Sequence, residues 1–270
     1  MVTATTTAYR AATFGDALRS EWTKIRTVRS TFWALLIAAA LGIGLGALIS
    51  GVSANHYATD PGVRFNWRPV DHSLASLGLA QLAFAVLGVM LVTGEYSSGM
   101  IRSSLAAVPR RGRLFAAKAT VFAAVALVVG EVISFATFLV GQALISAVSA
   151  QAPSASLGQH EVLRAVAGAG LYLAAIGLLG LFLGTMLRHA AAGIGVVVAV
   201  LFVLPGIAAA LPSSWQHPIE KYWPTNAGQQ VAHLVRDSNT LTPWAGFAVM
   251  VLFLAVVAVA ALAVLERRDA

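Results

Sequence analysis

The chain has 270 residues, of which 58% are hydrophobic and 11% charged, with a formal net charge of +7. Soluble globular domains carry about 25% charged residues, so this chain lacks the polar surface to stay in water. It has no cysteine, which excludes disulfides, thiolate chemistry and cysteine-held metals.

Residues 1–12 are Thr/Ala-rich and read as a loose tail. The first long apolar run begins only near Thr31 and ends without a cleavage site, so it is not a removable signal. Residues 13–28, TFGDALRSEWTKIRTV, place Phe14, Leu18, Trp22 and Ile25 at helical spacing on one stripe. Asp16, Arg19, Thr23 and Arg26 fall away from that stripe. Thr13-x-x-Asp16 has the form of a capping box. The segment predicts an amphipathic helix at a membrane interface, serving either as a surface anchor or as a docking element.

Six apolar runs follow, at 31–51, 74–94, 119–147, 165–187, 190–211 and 244–265. A helix of about 20 apolar residues crosses the roughly 30 Å hydrocarbon core. These runs predict an all-α integral membrane protein with six transmembrane helices. The division is then 1–30 (tail and interfacial helix), 31–265 (membrane domain) and 266–270 (tail). The third run is longer than a bilayer requires, so it must tilt, kink or protrude. Asp60-Pro61-Gly62 reads as a turn in the polar segment after the first run. Runs four and five are separated only by Arg188-His189. Were they one helix, five spans would remain and the chain's ends would lie on opposite sides.

Of the 18 Lys and Arg residues, thirteen lie on one side of this layout and five on the other. The excess marks the cytoplasmic side and puts both termini there. Because the basic residues sit just outside the apolar runs, they read as orientation signals and headgroup contacts, not as a nucleic-acid surface.

The segment Glu95 to Lys118, between runs two and three, contains an apolar stripe of Ile101, Leu105 and Val108. Pro109 breaks the helix, and Arg110, Arg111 and Arg113 follow. Orientation explains the arginines. It does not explain the stripe, or the preceding Glu95-Tyr96-x-x-Gly99. Glu131 lies near the middle of run three, where a charge is costly. It is either a substrate-path residue, together with Gln81 and Gln142, or a protonated acid bonded to Gln81, Gln142 or a nearby hydroxyl. Gly42-x-x-x-Gly46 and Gly180-x-x-x-Gly184 allow close helix approach, within the chain or between copies. Pro205 should bend run five and free a backbone carbonyl.

His160-Glu161 begins like a zinc helix, but the fifth position is Arg164. No metal site is predicted. There is no G-x-S-x-G and no G-x-x-x-x-G-K-[ST]. The chain is therefore not expected to be an enzyme or to hydrolyse ATP through a phosphate loop.

Three stretches carry a family resemblance: residues 18–31 before run one, residues 95–111 extending to Lys118, and Tyr222-Trp-Pro-Thr-Asn-Ala-Gly-Gln229 before run six. Together they resemble the permease subunit of ABC-2-type ABC transporters, in an actinobacterial-like branch. Met100 departs from the pattern, where a small or β-branched residue is more usual.

The resemblance implies that residues 13–28 form an elbow helix, with Phe14, Leu18, Glu21, Trp22, Ile25 and Arg26. It implies a coupling helix seated on an ATPase, drawn from Glu95, Tyr96, Gly99, Ile101, Arg102, Leu105, Val108, Pro109, Arg110 and Arg111. It also implies a short helical outer loop between runs five and six. No cofactor is then bound by this chain, while ATP and Mg sit on a partner ATPase subunit. A second permease copy or paralogue and membrane lipid complete the partners, and no nucleic acid is involved. The implied location is the bacterial cell membrane, and the implied direction is export. An ion-gradient transporter or channel using Glu131 is the alternative, and a scaffold or immunity role on the same fold also stands.

Overall fold

The computed structural model describes residues 13–57 and 59–267, the side chain of Ser30 excepted. The predicted tail at 1–12 and the last residues, 268–270, lie outside it. The described residues form helices and connecting loops, with no strand. Six segments are long and apolar enough to cross a bilayer: Thr31–Tyr57, Pro69–Ser97, Arg111–Val148, Val162–Leu187, Ala190–Ala208 and Pro243–Arg267. Helices are the form expected here, since only intra-segment hydrogen bonds satisfy a backbone surrounded by lipid.

α1 (Phe14–Thr27) begins with the predicted capping box: Asp16 N–H donates to Thr13 Oγ1, and Thr13 N–H donates to Asp16 Oδ2. α2 (Arg29–Tyr57) runs six residues past the predicted end of the first span. The predicted Asp60-Pro61-Gly62 turn is instead the start of a helix, α3 (Pro61–Phe65). Asp60 Oδ1 accepts from the Gly62 and Val63 amides, and Pro61 needs no amide partner in the first turn. α4 (Pro69–Leu74) and α5 (Leu77–Ser97) form the second span, interrupted at Ala75–Ser76.

α6 (Met100–Ala107) is short and ends just before Pro109. Gly99 precedes it at φ +72°, a left-handed conformation that suits glycine. α7 (Arg111–Val148) is one continuous helix of 38 residues, about 57 Å long at 1.5 Å per residue. Its first two turns lie outside the predicted apolar run, pack against α1 and lead to Lys118.

α8 (Val162–Leu187) is the centre of the molecule and packs against α5, α7 and the last helix. Contact between α5 and α8 is close because both lack side chains there. A Cβ on Gly180 would lie 2.1 Å from the Ala85 carbonyl oxygen, and one on Gly88 2.1 Å from that of Gly177. Gly42 and Gly46 likewise face Ile133 and Thr137 of α7. Both Gly-x-x-x-Gly patterns therefore serve packing inside one chain.

Arg188 ends α8 at φ +58°, and α9 (Ala190–Val198) starts directly, so runs four and five are separate helices. α9 passes into a π-helical turn, Ala199–Val203, and then α10 (Leu204–Ala208). The segment before the last span, expected to be a helical loop, contains α11 (Ser213–Tyr222) and α12 (Pro224–Gln229). α13 (Pro243–Arg267) closes the bundle, with Gly246 against the Ala227 carbonyl of α12.

α1, α6, the Arg188 turn and the end of α13 lie at one end of the bundle. Lys118 near the start of α7 bonds Glu21 of α1, and Arg111 Nη1 donates to the Leu265 carbonyl at 2.8 Å. α3, α4, α11 and α12 occupy the other end.

Candidate functional site

Four charged side chains meet where α1, α5 and α7 converge. Lys118 Nζ donates to Glu21 Oε2 at 2.5 Å and to Glu95 Oε1 at 2.7 Å. Lys24 Nζ donates to Glu21 Oε1 at 2.6 Å, Glu95 Oε1 at 3.0 Å and Ser104 Oγ at 2.9 Å. Ser104 brings α6 into the same cluster. Glu21, Glu95 and Lys118 are buried, and Lys24 is partly buried.

Two ammonium groups facing two carboxylates make the cluster formally neutral, which makes its burial tolerable. Each charge-assisted bond gains strength from the low local polarity, while any unpaired charge there is expensive. Burial lowers the affinity of Lys24 for its proton. Glu21 and Glu95 outweigh that and hold its pKa above the ordinary 10.5.

An apolar layer surrounds this polar centre. Ile101 and Val108 of the α6 segment are buried with Ala17 of α1 and with Leu114 and Ala117 of α7, and Leu18, Tyr96 and Leu105 pack alongside. The expected apolar stripe of α6 is therefore consumed inside the chain and is not free for another protein. The surface that α6 leaves open is Arg102, Ser103, Ala106 and Ala107, continued by Pro109 and Arg110. α1 departs from expectation in the same way. Its docked face is Ala17, Glu21 and Lys24, one turn apart, while Phe14 and Trp22 of the predicted stripe are exposed and Leu18 and Ile25 lie between. Arg26 is exposed.

Tyr96 is half-buried, with the Arg188 guanidinium 5.1 Å above its ring, so the α8–α9 turn is fastened to the end of α5. Arg111, expected among the partner-facing residues, instead reaches the end of α13.

Glu131, Gln81 and Gln142 do not form one site. Tyr172 Oη donates to Gln81 Oε1 at 2.6 Å. Gln142 Nε2 donates to the Pro69 carbonyl and Ser73 Oγ, and its Oε1 accepts from the Ala155 amide. Neither amide reaches Glu131. Its carboxyl packs on Gly170 of α8, and Oε2 has no hydrogen-bond partner among the described residues.

Sequence reasoning missed the cluster because Lys24 and Lys118 were counted only as orientation charges. Glu21-x-x-Lys24 on one helix, and Glu95 and Lys118 on the flanks of the same short segment, were the available signal.

A family model described as ABC-2 family transporter protein matches residues 17–206, well over half of the chain. The chain belongs to the ABC-2 transporter family. It is a transport membrane subunit in type rather than an enzyme, and the family normally works with an ATPase subunit. The match takes in α1 from Ala17 onward, the whole charge cluster, the centre of the ABC-2 bundle and the π-helical turn. No curated protein matches the chain significantly.

Proposed function

We propose that this ABC-2 protein is the permease subunit of an ATP-driven exporter of a bacterial cell membrane. In this reading it pairs with a second copy or a paralogue to enclose the translocation path. A separate ATPase subunit, holding ATP and Mg, drives it from the cytoplasmic side, where both termini lie. α1 is the elbow helix and α6 the coupling helix.

The observation that carries this reading is the Glu21–Lys24–Glu95–Lys118 cluster with Ser104. It fastens α1 and α6 to the ends of α5 and α7, so a push on α6 moves two spans and the interfacial helix together. A lever held only by apolar contacts could slide, whereas a buried directional charge network resists a change of register. Nucleotide binding would then bias the inward- and outward-open states through differential contacts on α6.

The ATPase would seat on the exposed face of α6. Arg102→Glu and Ala106→Asp should each abolish co-purification of the ATPase subunit that the wild-type chain retains, with the permease still inserted and folded. Retention of the ATPase by both variants would remove α6 as the docking element. Ile101 is unsuited to this test, because a charge there would unseat α6 from its own chain.

A second reading rests on the unpartnered Glu131 Oε2. If an ion gradient drove transport through that carboxylate, Glu131→Gln would stop transport, and transport by the unaltered chain would proceed without ATP. An unaltered rate across pH would end that reading.

A further inference from the structure

α11 carries two chemistries on opposite sides. Trp215, Pro218, Ile219 and Tyr222 recur at three- and four-residue spacing and share one face, while Gln216, His217, Glu220 and Lys221 fall on the other. In a soluble protein the aromatic face would turn to the core. Here it turns outward: Trp215 is 68% exposed and Tyr222 56%, and no residue of α11 is buried. The polar side is the one tied to the protein. Gln216 Nε2 donates to Glu220 Oε1 within it, and Asn239 Nδ2, from the loop before α13, donates to the His217 carbonyl at 3.2 Å. The aromatic face holds no charged side chain, and it continues a surface already turned to lipid. Val203, Leu204 and Ile207 of the fifth span are exposed, and exposed Leu211 leads from them to α11. Trp223 ends α11, and its indole N–H donates to the Val200 carbonyl in the π-helical turn at 3.0 Å.

We propose that α11 rests in the interfacial layer of the leaflet at its end of the bundle and, through Trp223, couples the depth of that layer to the π-helical turn of the fifth span. The side chains select the layer. Trp and Tyr favour the headgroup level, where the ring meets acyl chain and the N–H or O–H meets water. An uncharged aromatic face backed by a polar one is the pattern of a helix lying in that plane. The Lys221 ammonium lies 5.6 Å from the centre of the Tyr222 ring, at the border of the face, where lipid phosphates gather. A thinner bilayer brings the layer toward the midplane, and the aromatic face follows it. Trp223 then shifts against the fifth span, and its bond to Val200 weakens. The proposal needs only the bilayer location of the chain and is independent of the coupling role of α6.

The test uses the full chain, which has no cysteine of its own, in dioleoyl phosphatidylcholine bilayers. Trp215→Cys, Tyr222→Cys, Ile207→Cys and His217→Cys are each labelled alone with a nitroxide. Labels at 215 and 222 should collide more with oxygen, which concentrates in lipid, than with a water-soluble nickel chelate, as the label at 207 does. The label at 217 should show the reverse. Chelate collisions at 215 and 222 as frequent as at 217 would put the face in water and overturn the proposal. Labels shielded from both reagents and close to each other across two copies would put a second copy on the face, with the same consequence. The coupling is read by amide exchange of the unlabelled chain in short-chain (dimyristoleoyl) and long-chain (dierucoyl) phosphatidylcholine. Exchange around residues 200–208 should be about fivefold faster in the short-chain bilayer, as for the loss of one hydrogen bond. Trp223→Phe should exchange fast in both bilayers. Equal rates for the unaltered chain in the two lipids, or a dependence on chain length that survives Trp223→Phe, would overturn the coupling through Trp223.

Discussion

Lys118 of α7 and Glu21 of α1 are 97 positions apart in sequence and 2.5 Å apart in the fold, both almost fully buried. Their pairing makes α1 and the long helix α7 one mechanical unit. Lys118→Met would leave Glu21 and Glu95 sharing Lys24 alone. Removing one partner of a buried pair costs about 3–5 kcal/mol, so this variant should unfold at markedly lower temperature in detergent. Adding Glu21→Gln should recover part of the loss by restoring neutrality. A double variant no more stable than Lys118→Met would show that the two residues are not coupled.

The same cluster predicts an alkaline transition. Lys24 has a folded-state pKa above its ordinary 10.5, with burial opposing the shift and Glu21 and Glu95 overcoming it. The stabilisation is therefore complete below the unfolded value and is lost as pH rises through the folded one. Limited proteolysis at the α1–α2 junction should stay slow to about pH 10 and accelerate above it. Lys24→Arg, which keeps its charge, should move the acceleration to higher pH.

The π-helical turn in the fifth span leans on an indole. Leu204 N–H donates to the Ala199 carbonyl in the π-helical turn, so the next amide in register would serve Val200. That residue is Pro205, which has no N–H. Trp223 Nε1 supplies the bond instead, donating to the Val200 carbonyl at 3.0 Å. Trp223→Phe should cost about 1 kcal/mol and speed amide exchange around residues 200–208. Pro205→Ala in the Trp223→Phe background should return part of that protection, because the new amide can serve Val200. If it returned none, the π turn would not be the reason for the contact.

Glycine in the α5–α8 contact is a steric requirement. Gly180→Ala would push a methyl into the Ala85 carbonyl, 2.1 Å away, and backbone cannot move aside cheaply. A loss of about 1–3 kcal/mol is expected, as for other overpacked sites. Gly44→Ala, which meets nothing within 4 Å, is the control and should be neutral or slightly stabilising. Thermal unfolding of the two variants side by side separates a packing role from a general glycine effect.

Much of this molecule is readable in one dimension. The six apolar runs, the capping box at Thr13 and Asp16, the break at Pro109 and the tight Arg188 turn follow from local composition, because a backbone in lipid must become helix wherever it is apolar enough. The ABC-2 resemblance was legible too, in short motifs at the ends of the spans. What stayed hidden was the rotation of each helix about its own axis. Periodicity located an apolar stripe on α1 and on α6. In α6 the stripe turned inward, and in α1 the more deeply buried face proved to be the charged one. In a bilayer an apolar face can be satisfied by lipid on any side, so hydrophobicity alone does not choose which side faces protein. Burying Glu21 against Lys118 requires α1, α5, α6 and α7 to be in place together, and Trp223 finds Val200 only once Pro205 has left that carbonyl without its amide. The sequence by itself determined how many helices form and where they stop. Tertiary structure decided which residues meet, because a charge or a carbonyl without a partner is resolved only by a group brought from far along the chain.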